Sequence, residues 1–303
     1  MENRNENEPG GEGKRSYDVV KVHDIMDELL ENFRKGLPTG FTTEWTENDP
    51  ESENAEAVKS LDDIVRWDTG QMALISEISE ENMPGVVEVS DFAEELIVRL
   101  CKSTGWKAAH LMTEDFPVEN LLAKLAEKYT GKLFPYQPQD KDKVYMEKEE
   151  WDEAFSWLTE NARLVKTEEN RRGIDDLLGL ADKMVELYGI RVIVVYAGDF
   201  IGDILGKGWL LDRWAIKIRN FGMRRDCLMV VVAHPRFVSA DSDGYESGNS
   251  EMVLADGTDG FESIADYSLE VETDEVKGVR TVNVVKVRRK EFGDRGKFRY
   301  KTK

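Results

Sequence analysis

Apolar and polar residues follow two different periods along this chain, and the switch between them separates predicted strands from predicted helices. Short apolar runs predict strands at residues 72–76, 106–113, 191–197 and 227–233. Amphipathic segments predict helices before, between and after them, at residues 17–35, 91–104, 117–129, 148–159, 174–188 and 210–224. Strands that alternate with helices are typical of an α/β protein with a largely parallel sheet.

The C-terminal part of the chain departs from this alternation. Residues 267–273 and 280–287 are predicted strands, with residues 298–300 as a possible third, and no helical pattern lies between them. This edge of the sheet is therefore expected to be antiparallel. The continuous apolar runs 191–197 and 227–233 are expected at the centre of the sheet, with both faces covered.

Three regions follow from the composition along the chain. Residues 1–16 are polar and rich in Gly and Glu, which predicts a disordered acidic tail. Residues 17–60 are expected to form an N-terminal helix and an acidic linker, because residues 44–57 hold six acidic and no basic side chains. Residues 61–303 form the predicted main domain.

Charge is spread unevenly over the 303 residues. The whole chain has a formal net charge of −20, whereas residues 280–303 hold ten basic and two acidic side chains. An acidic body repels nucleic acid, so single-stranded DNA is expected to meet only the C-terminal basic strip, at Arg288, Arg289 and Lys290. A solvated, Lys-rich last strand and tail would show the same charge pattern.

Other features limit the function classes. No apolar run is long enough to span a bilayer, and the first residues lack the apolar core of a secretory signal. Two cysteines predict neither a disulfide framework nor a zinc site, and three scattered histidines argue against a histidine metal site. We therefore expect a soluble cytoplasmic protein with no membrane partner and no resident metal.

Ligands of open α/β sheets bind beyond the carboxyl ends of the strands, so the residues after each strand are the candidate site. These positions are Glu77 and the segment up to residue 92, then Glu114, Tyr196 to Asp199, His234, and Lys286 with Arg288.

Five segments in this order resemble the RecA-type ATPase domain of ring-shaped replicative DNA helicases, the group of the bacterial replicative helicase and Twinkle. They are KGLPTGF with WDTGQMALIS after the acidic linker, HLMTEDFP, LADKMVELYGIRVIVVY, LMVVVAHPR and VVKVRRKEFGDRG. The resemblance covers residues 17–303. It implies a RecA-like fold of the P-loop NTPase type, with a central, mainly parallel sheet flanked by helices.

The resemblance also implies roles for four residues. Glu114 would orient the water that attacks the γ-phosphate, and His234 would sense that phosphate. Lys286 and Arg288 would reach the nucleotide of a neighbouring subunit, as an arginine finger does. Outside this family, the same residues would be a turn acid, a structural histidine and outward-facing strand residues.

The phosphate loop departs from the family pattern. The motif needs G-x-x-x-x-G-K-[ST] directly after the first strand, so that backbone amides and a lysine surround the phosphates. Residues 77–92 contain one glycine, Gly85, no lysine and five acids, of which the first is Glu77. Val89 and Ser90 take the places of the Lys-Ser pair, and residues 67–98 contain no Lys or Arg.

The second acidic motif is altered as well. The strand should end in an aspartate that holds magnesium, but it ends in Tyr196, and Asp199 comes three residues later. The segment 237–266, where the family places DNA-contacting loops, contains no Lys or Arg. A direct DNA contact in a central channel is therefore disfavoured.

Three functions remain open from the sequence. The first is a divergent replicative-helicase-like protein without its own ATP hydrolysis, which acts in DNA replication or repair as a subunit of a homo-oligomeric ring or as the partner of an intact helicase. The second is an active ATP-dependent DNA helicase with an atypical phosphate loop, which would bind ATP and Mg²⁺. The third is a non-catalytic acidic α/β scaffold.

Overall fold

A computed structural model describes residues 21–45, 60–77, 89–111, 118–136, 140–165, 173–196, 208–233, 258–274 and 276–302. The chain divides into two compact units, residues 1–38 and 39–303. In the first unit, a 3₁₀ turn at Val22–Ile25 leads into helix α1 at Met26–Lys35. Gly36 ends this helix at a φ of 86°, which is the helix stop that the sequence predicts.

The second unit contains seven described helices and eight described strands. The helices are α2 (Leu61–Ile64), α3 (Val89–Thr104), α4 (Val118–Thr130), α5 (Lys148–Asn161), α6 (Ile174–Tyr188), α7 (Gly208–Arg225) and α8 (Thr258–Ile264). The strands are β1 (Met72–Glu77), β2 (Ala108–Leu111), β3 (Ala162–Val165), β4 (Val192–Tyr196), β5 (Leu228–Ala233), β6 (Tyr267–Asp274), β7 (Val279–Val287) and β8 (Gly296–Lys301). None of the described helices has the length and apolar character needed to cross a membrane.

The eight strands form one sheet in the order β3-β2-β4-β5-β1-β6-β7-β8. Neighbours from β3 to β6 are parallel, and β6-β7 and β7-β8 are antiparallel. The predicted fold class is confirmed, including the antiparallel C-terminal edge. The two continuous apolar strands, β4 and β5, lie inside the sheet and are buried along their whole length.

Alternate residues of the strands pack into two different cores. Ala73 and Ile75 of β1 belong to the core under α3, whereas Met72 and Leu74 belong to the core under α6 and α7. A third cluster joins α4 and α5. The first of these cores carries the start of α3 and the end of β4, and therefore positions the candidate site.

Three of the numbered elements were not predicted, and α2 is one of them because its four residues are too few to show a periodicity. Strand β3 has the sequence ARLV and is only partly buried, so neither a long apolar run nor a clear alternation marks it. Helix α8 is seven residues long and shorter than the window in which helical periodicity can be recognised. Strand β2, predicted at residues 106–113, is observed at Ala108–Leu111, and residues 112 and 113 lie outside the described residues.

Candidate functional site

The carboxyl edge of the sheet brings together the ends of β1 and β4. Ile75 pairs with Val232 of β5, which in turn pairs with Tyr196, so only one strand separates Glu77 from Tyr196. Glu77 and Tyr196 are 5% and 2% exposed, respectively. Four other predicted site residues lie outside the described residues: Gly85, Glu114, Asp199 and His234.

The first turn of α3 is the place that the Lys-Ser pair occupies in a phosphate loop. Helix α3 begins at Val89, and this side chain is fully buried in the core below the helix. Ser90 is partly buried and follows it. A core valine at this position supplies no cation and points its side chain away from any ligand above the helix.

Asp91, also in this first turn, is held by two cations. Arg280, at the start of β7, donates a hydrogen bond of 2.7 Å to Asp91, and Lys128 of α4 forms an ion pair with the same carboxylate. Burial by itself would raise the pKa of Asp91, but the Lys128 and Arg280 charges outweigh it, and the pKa lies below its usual value. The positive end of α3 thus already faces a carboxylate of the chain itself.

Arg280 lies at the inner end of a cleft of about 900 Å³. Its guanidinium also donates to the Tyr300 hydroxyl at 3.1 Å and to the Thr273 hydroxyl at 3.1 Å, and the residue is only 4% exposed. The cleft is lined by five basic and four acidic side chains, so its charges nearly cancel. The sequence analysis missed this arginine, although a basic residue at the head of an apolar strand was a visible signal.

The resemblance to replicative helicases assigns the position of a magnesium-holding aspartate to Tyr196. Its hydroxyl lies 3.2 Å from Nδ1 of His110, a residue of β2 that is 1% exposed. Burial lowers the pKa of the His110 imidazole to about 4, so the ring is neutral at pH 7. A neutral hydroxyl and a neutral imidazole replace the carboxylate. Sequence reasoning overlooked His110, since it lies inside a four-residue apolar strand.

Lys286 and Arg288 lie at the opposite ends of the strands, at the amino edge of the parallel part of the sheet. Because β7 runs antiparallel to β6, its last residues lie at the amino ends of the parallel strands, where Lys286 pairs with Ser268. The backbone amide of Arg288 donates to Asp266, whose own amide donates to Met72 at the start of β1. The length of β1, about 17 Å, therefore separates Arg288 from the level of Glu77.

Both cations bind the C-terminal end of α8. Lys286 donates to the carbonyl oxygen of Ser263 at 3.0 Å and to that of Glu262, and Arg288 donates to those of Ser263 and Ile264 at 3.0 and 2.7 Å. These carbonyls have no partners within the helix, and they carry the negative end of its dipole. Partial burial, and after it the Arg288 charge, lowers the pKa of Lys286.

The buried Asp266 connects three elements at the amino edge of the sheet. Asp266, 3% exposed, accepts two hydrogen bonds of 3.0 Å from Arg219 of α7 and lies 3.3 Å from the Arg288 guanidinium. It also accepts a bond of 3.1 Å from the Met72 amide. One carboxylate thus joins β1, α7 and the end of β7, and it holds Arg288 in place.

A bulge at Val285 interrupts the alternation of faces that a regular strand would give to β7. Ser268 pairs with Lys286 and Leu269 with Val284, which leaves Val285 without a partner on β6. Lys286 and Arg288 nevertheless share one face, since both reach α8. The outermost strand on this side of the sheet is β8, so Lys286 lies on an inner strand and Arg288 directly follows it.

The remaining basic residues of the predicted DNA strip are exposed. Arg289 forms an ion pair with Glu291 and lies 4.7 Å from the centre of the Phe292 ring. Lys290 is exposed and makes no ion pair with any described residue. Lys290 is therefore the cation of this strip that is most available to a phosphate.

The described residues do not fit ATP and Mg²⁺ in the way a P-loop fold requires. Under the resemblance, the lysine position is a core valine and the aspartate position is a tyrosine bonded to histidine, and the two cations at the start of α3 are already paired with Asp91. No group of described residues has the composition and spacing to hold a metal ion.

Comparison with known proteins gives the fold. No family model matches the sequence, and no curated protein matches it. The structure is similar to the ATPase domain of G40P, with a TM-score of 0.57 and 12% identity over 93% of this chain and 95% of that one. It is also similar to a DnaB-like replicative helicase, with a TM-score of 0.55 and 13% identity over 92% of this chain and 65% of that one. The chain therefore has the RecA-like fold of replicative-helicase ATPase domains.

Proposed function

We propose that this chain is a divergent, replicative-helicase-like RecA-fold protein that has lost its own ATP hydrolysis and acts as a subunit of a ring or as the partner of an intact helicase in DNA replication or repair. The observation that supports the proposal is the state of two positions at the carboxyl edge. Val89, to which the resemblance assigns the phosphate-binding lysine, is a core residue, and Tyr196, to which it assigns the magnesium ligand, is bonded to neutral His110.

Electrostatics supports the loss of nucleotide binding. A triphosphate carries about four negative charges, and each like-charge pair about 4 Å apart costs on the order of 4 kcal/mol at an effective dielectric constant near 20. Residues 67–98 supply no lysine or arginine against this cost. The cations that lie at the start of α3, Lys128 and Arg280, are already paired with the carboxylate of Asp91.

The position of Lys286 and Arg288 supports a role in trans. They lie at the amino edge of the sheet, so they cannot reach a nucleotide at the carboxyl edge of their own chain. In a ring they would face the site of the adjacent subunit, which is the geometry of an arginine finger. A chain that cannot hydrolyse ATP could in this way still stimulate a competent neighbour.

The first unit supports self-association or association with a partner. Six large apolar side chains between residues 22 and 33 are exposed, and no residue of α1 is buried. A helix with such a stripe is stable when another surface covers it. Phe33, 87% exposed, is the most accessible residue of this face.

A nucleotide titration tests the proposal. We expect no saturable binding of a fluorescent ATP analogue with Mg²⁺ to the full-length chain. Saturable micromolar binding that the surface control Leu187→Ala retains would overturn the proposal, and ATP hydrolysis that Glu114→Ala abolishes would instead identify an active ATP-dependent helicase with an atypical phosphate loop.

Light scattering and DNA binding test the remaining parts. We expect an oligomer that Phe33→Ser weakens, together with low-salt binding of single-stranded DNA that Arg289→Gln with Lys290→Gln weakens. A strict monomer without affinity for DNA would leave the acidic scaffold as the better description.

A further inference from the structure

The last strand of the sheet, β8, carries a cation at every second residue. Lys297, Arg299 and Lys301 alternate with Phe298 and Tyr300, which are only 1% and 3% exposed. The two rings pack into the core under α3, so the cations lie on the opposite face of the sheet. The buried rings fix this register, because a slip by one residue would bury the charges.

Strand β8 also has a free hydrogen-bonding edge. It pairs with β7 on one side and has no neighbour on its other side among the described strands. The Thr302 amide donates to the carbonyl oxygen of Gly278, and bonded pairs alternate in an antiparallel ladder, so the even-numbered residues of β8 direct their backbone groups towards β7. The backbone groups of Lys297 and Arg299 therefore point away from β7, to the unpaired side.

The side chains of Lys297 and Arg299 are not engaged by the described part of the chain. Lys297 is exposed, Arg299 is partly buried, and neither forms an ion pair with a described residue. The Nε atom of Arg299 is buried without a hydrogen-bond partner there. The residues opposite them on β7, Asn283 and Thr281, are neutral. Two cations and their outward backbone groups thus lie side by side without a partner.

The acidic residues on this face of the sheet stand at a distance from the two cations. They belong to β6, where Glu270 and Glu272 lie two strands, or about 10 Å, away from β8. Asp274, at the end of β6, is already paired with Lys277. A strand added at the free edge would lie only about 5 Å from β8. Its acidic side chains would be closer partners than those of β6.

We propose that β8 binds an extended acidic peptide segment of a partner protein, which adds to the sheet as an antiparallel outer strand. In this mode of recognition, main-chain hydrogen bonds at a free strand edge provide affinity, and side chains at alternate positions provide specificity. Carboxylates at every second position of the peptide would lie directly opposite Lys297 and Arg299. The alternation of cations along β8 thus selects the same alternation of acids in its partner.

The chemistry of the edge favours a peptide over other anionic partners. The outward groups of Lys297 and Arg299 include carbonyl oxygens, which a phosphate cannot satisfy because it only accepts hydrogen bonds. The rings of β8 are buried in the core and cannot stack with nucleic-acid bases. Edge-to-edge pairing with the β8 of a second copy would place cation against cation. A peptide strand matches the donors, the acceptors and the charge together.

Peptide binding to the full-length chain tests this site. The probe is a fluorescein-labelled, eight-residue peptide of alternating glutamate and threonine, measured by anisotropy. One comparison peptide has the same composition in two blocks, and another has lysine in place of glutamate. We expect salt-sensitive binding of the alternating acidic peptide, about tenfold weaker binding of the block peptide and none of the lysine peptide. General charge attraction would not distinguish the two acidic peptides.

Methylated backbones separate strand addition from charge attraction. The glutamate amides face β8 in an antiparallel pairing that sets each carboxylate opposite a cation, and the threonine amides face outwards. N-methylation of the glutamate amides should therefore abolish binding, whereas N-methylation of the threonine amides should not. Hydrogen exchange at the backbone amides of Lys297 and Arg299 should slow when the unmodified peptide binds.

Variants of the two cations test the side-chain part of the site. Lys297→Gln with Arg299→Gln should weaken the alternating acidic peptide about tenfold, since each charge pair across neighbouring strands contributes a factor of about three. The matched control, Lys183→Gln with Arg224→Gln, removes two exposed cations from α6 and α7 and should bind like the wild type. Lys297→Glu with Arg299→Glu should bind the lysine peptide instead. Circular dichroism checks that each variant is folded.

Several results would overturn the proposal. No binding of the alternating acidic peptide would leave the cations as protection against edge-to-edge aggregation. Equal affinity for the alternating and block peptides, equal effects of the two methylations, or unchanged affinity in the double glutamine variant would contradict strand addition. Competition by oligothymidylate that depends on Arg299 would assign the strand to nucleic acid. None of these results bears on nucleotide binding at the carboxyl edge of the sheet.

Discussion

Replacing His110 tests the buried pair that its imidazole forms with the Tyr196 hydroxyl. His110→Asn keeps a polar side chain that can bond to the Tyr196 hydroxyl, but it removes the titrating imidazole. The buried ring has a pKa of about 4, whereas an imidazole in an unfolded chain titrates near 6.5. The folded state therefore binds fewer protons than the unfolded state between these two values.

The sign and size of the effect follow from linkage. A group whose folded pKa is depressed makes its full contribution above the unfolded pKa and loses it as the pH falls. For His110 the loss begins near pH 6.5 and is complete near pH 4, and it amounts to about 3 kcal/mol in total. At pH 5.5 about 1 kcal/mol has been lost.

Urea unfolding between pH 8 and pH 5.5 measures this loss. The unfolding free energy of the wild type should fall by about 1 kcal/mol more than that of His110→Asn over this interval. His23→Asn, which removes an exposed imidazole of the first unit, should behave like the wild type. An equal fall of the unfolding free energy in the wild type and in His110→Asn would refute a buried neutral histidine.

Three further changes test other parts of the structure. Asp266→Asn should lower the unfolding free energy by about 1.5–3 kcal/mol in urea titrations, because it removes the charge of a buried carboxylate that binds two partly exposed arginines. Arg288→Met should speed amide hydrogen exchange in α8, whereas Lys290→Met should not, since only the former loses bonds to the helix end. Gly293→Ala should sharply lower the melting temperature, because its Cβ would lie 2.1 Å from the Ile64 carbonyl oxygen at a φ of 135°.

The order and type of the long elements could be predicted because each one carries its own periodicity. Apolar runs marked β4 and β5 as central strands, and Gly36 and Gly189 marked helix ends at positive φ. The absence of basic side chains from residues 67–98, on which the predicted loss of a phosphate-binding lysine rests, is also visible in the sequence. The strands, the helix ends and the absence of basic residues can each be recognised from residues that are close together in the sequence.

The partners of the candidate residues depend on contacts between distant segments. The sequence shows Lys286 and Arg288 on one face, but only the antiparallel turn of β7 brings them to the end of α8 and to the amino edge of the sheet. No residue near Asp91 in the sequence indicates its hydrogen bond with Arg280, which lies 189 residues away. The pairing of His110 with Tyr196 likewise arises because β2 and β4 are neighbours in the sheet.

Local pattern therefore determined which segments are strands and helices, because burial of one face requires a period that a single segment can display. Tertiary structure alone decided which charges neutralise each other and which cations are occupied. Those pairings depend on the strand order β3-β2-β4-β5-β1-β6-β7-β8. This order arises from the packing of the whole sheet, so no single segment of the sequence predicts it.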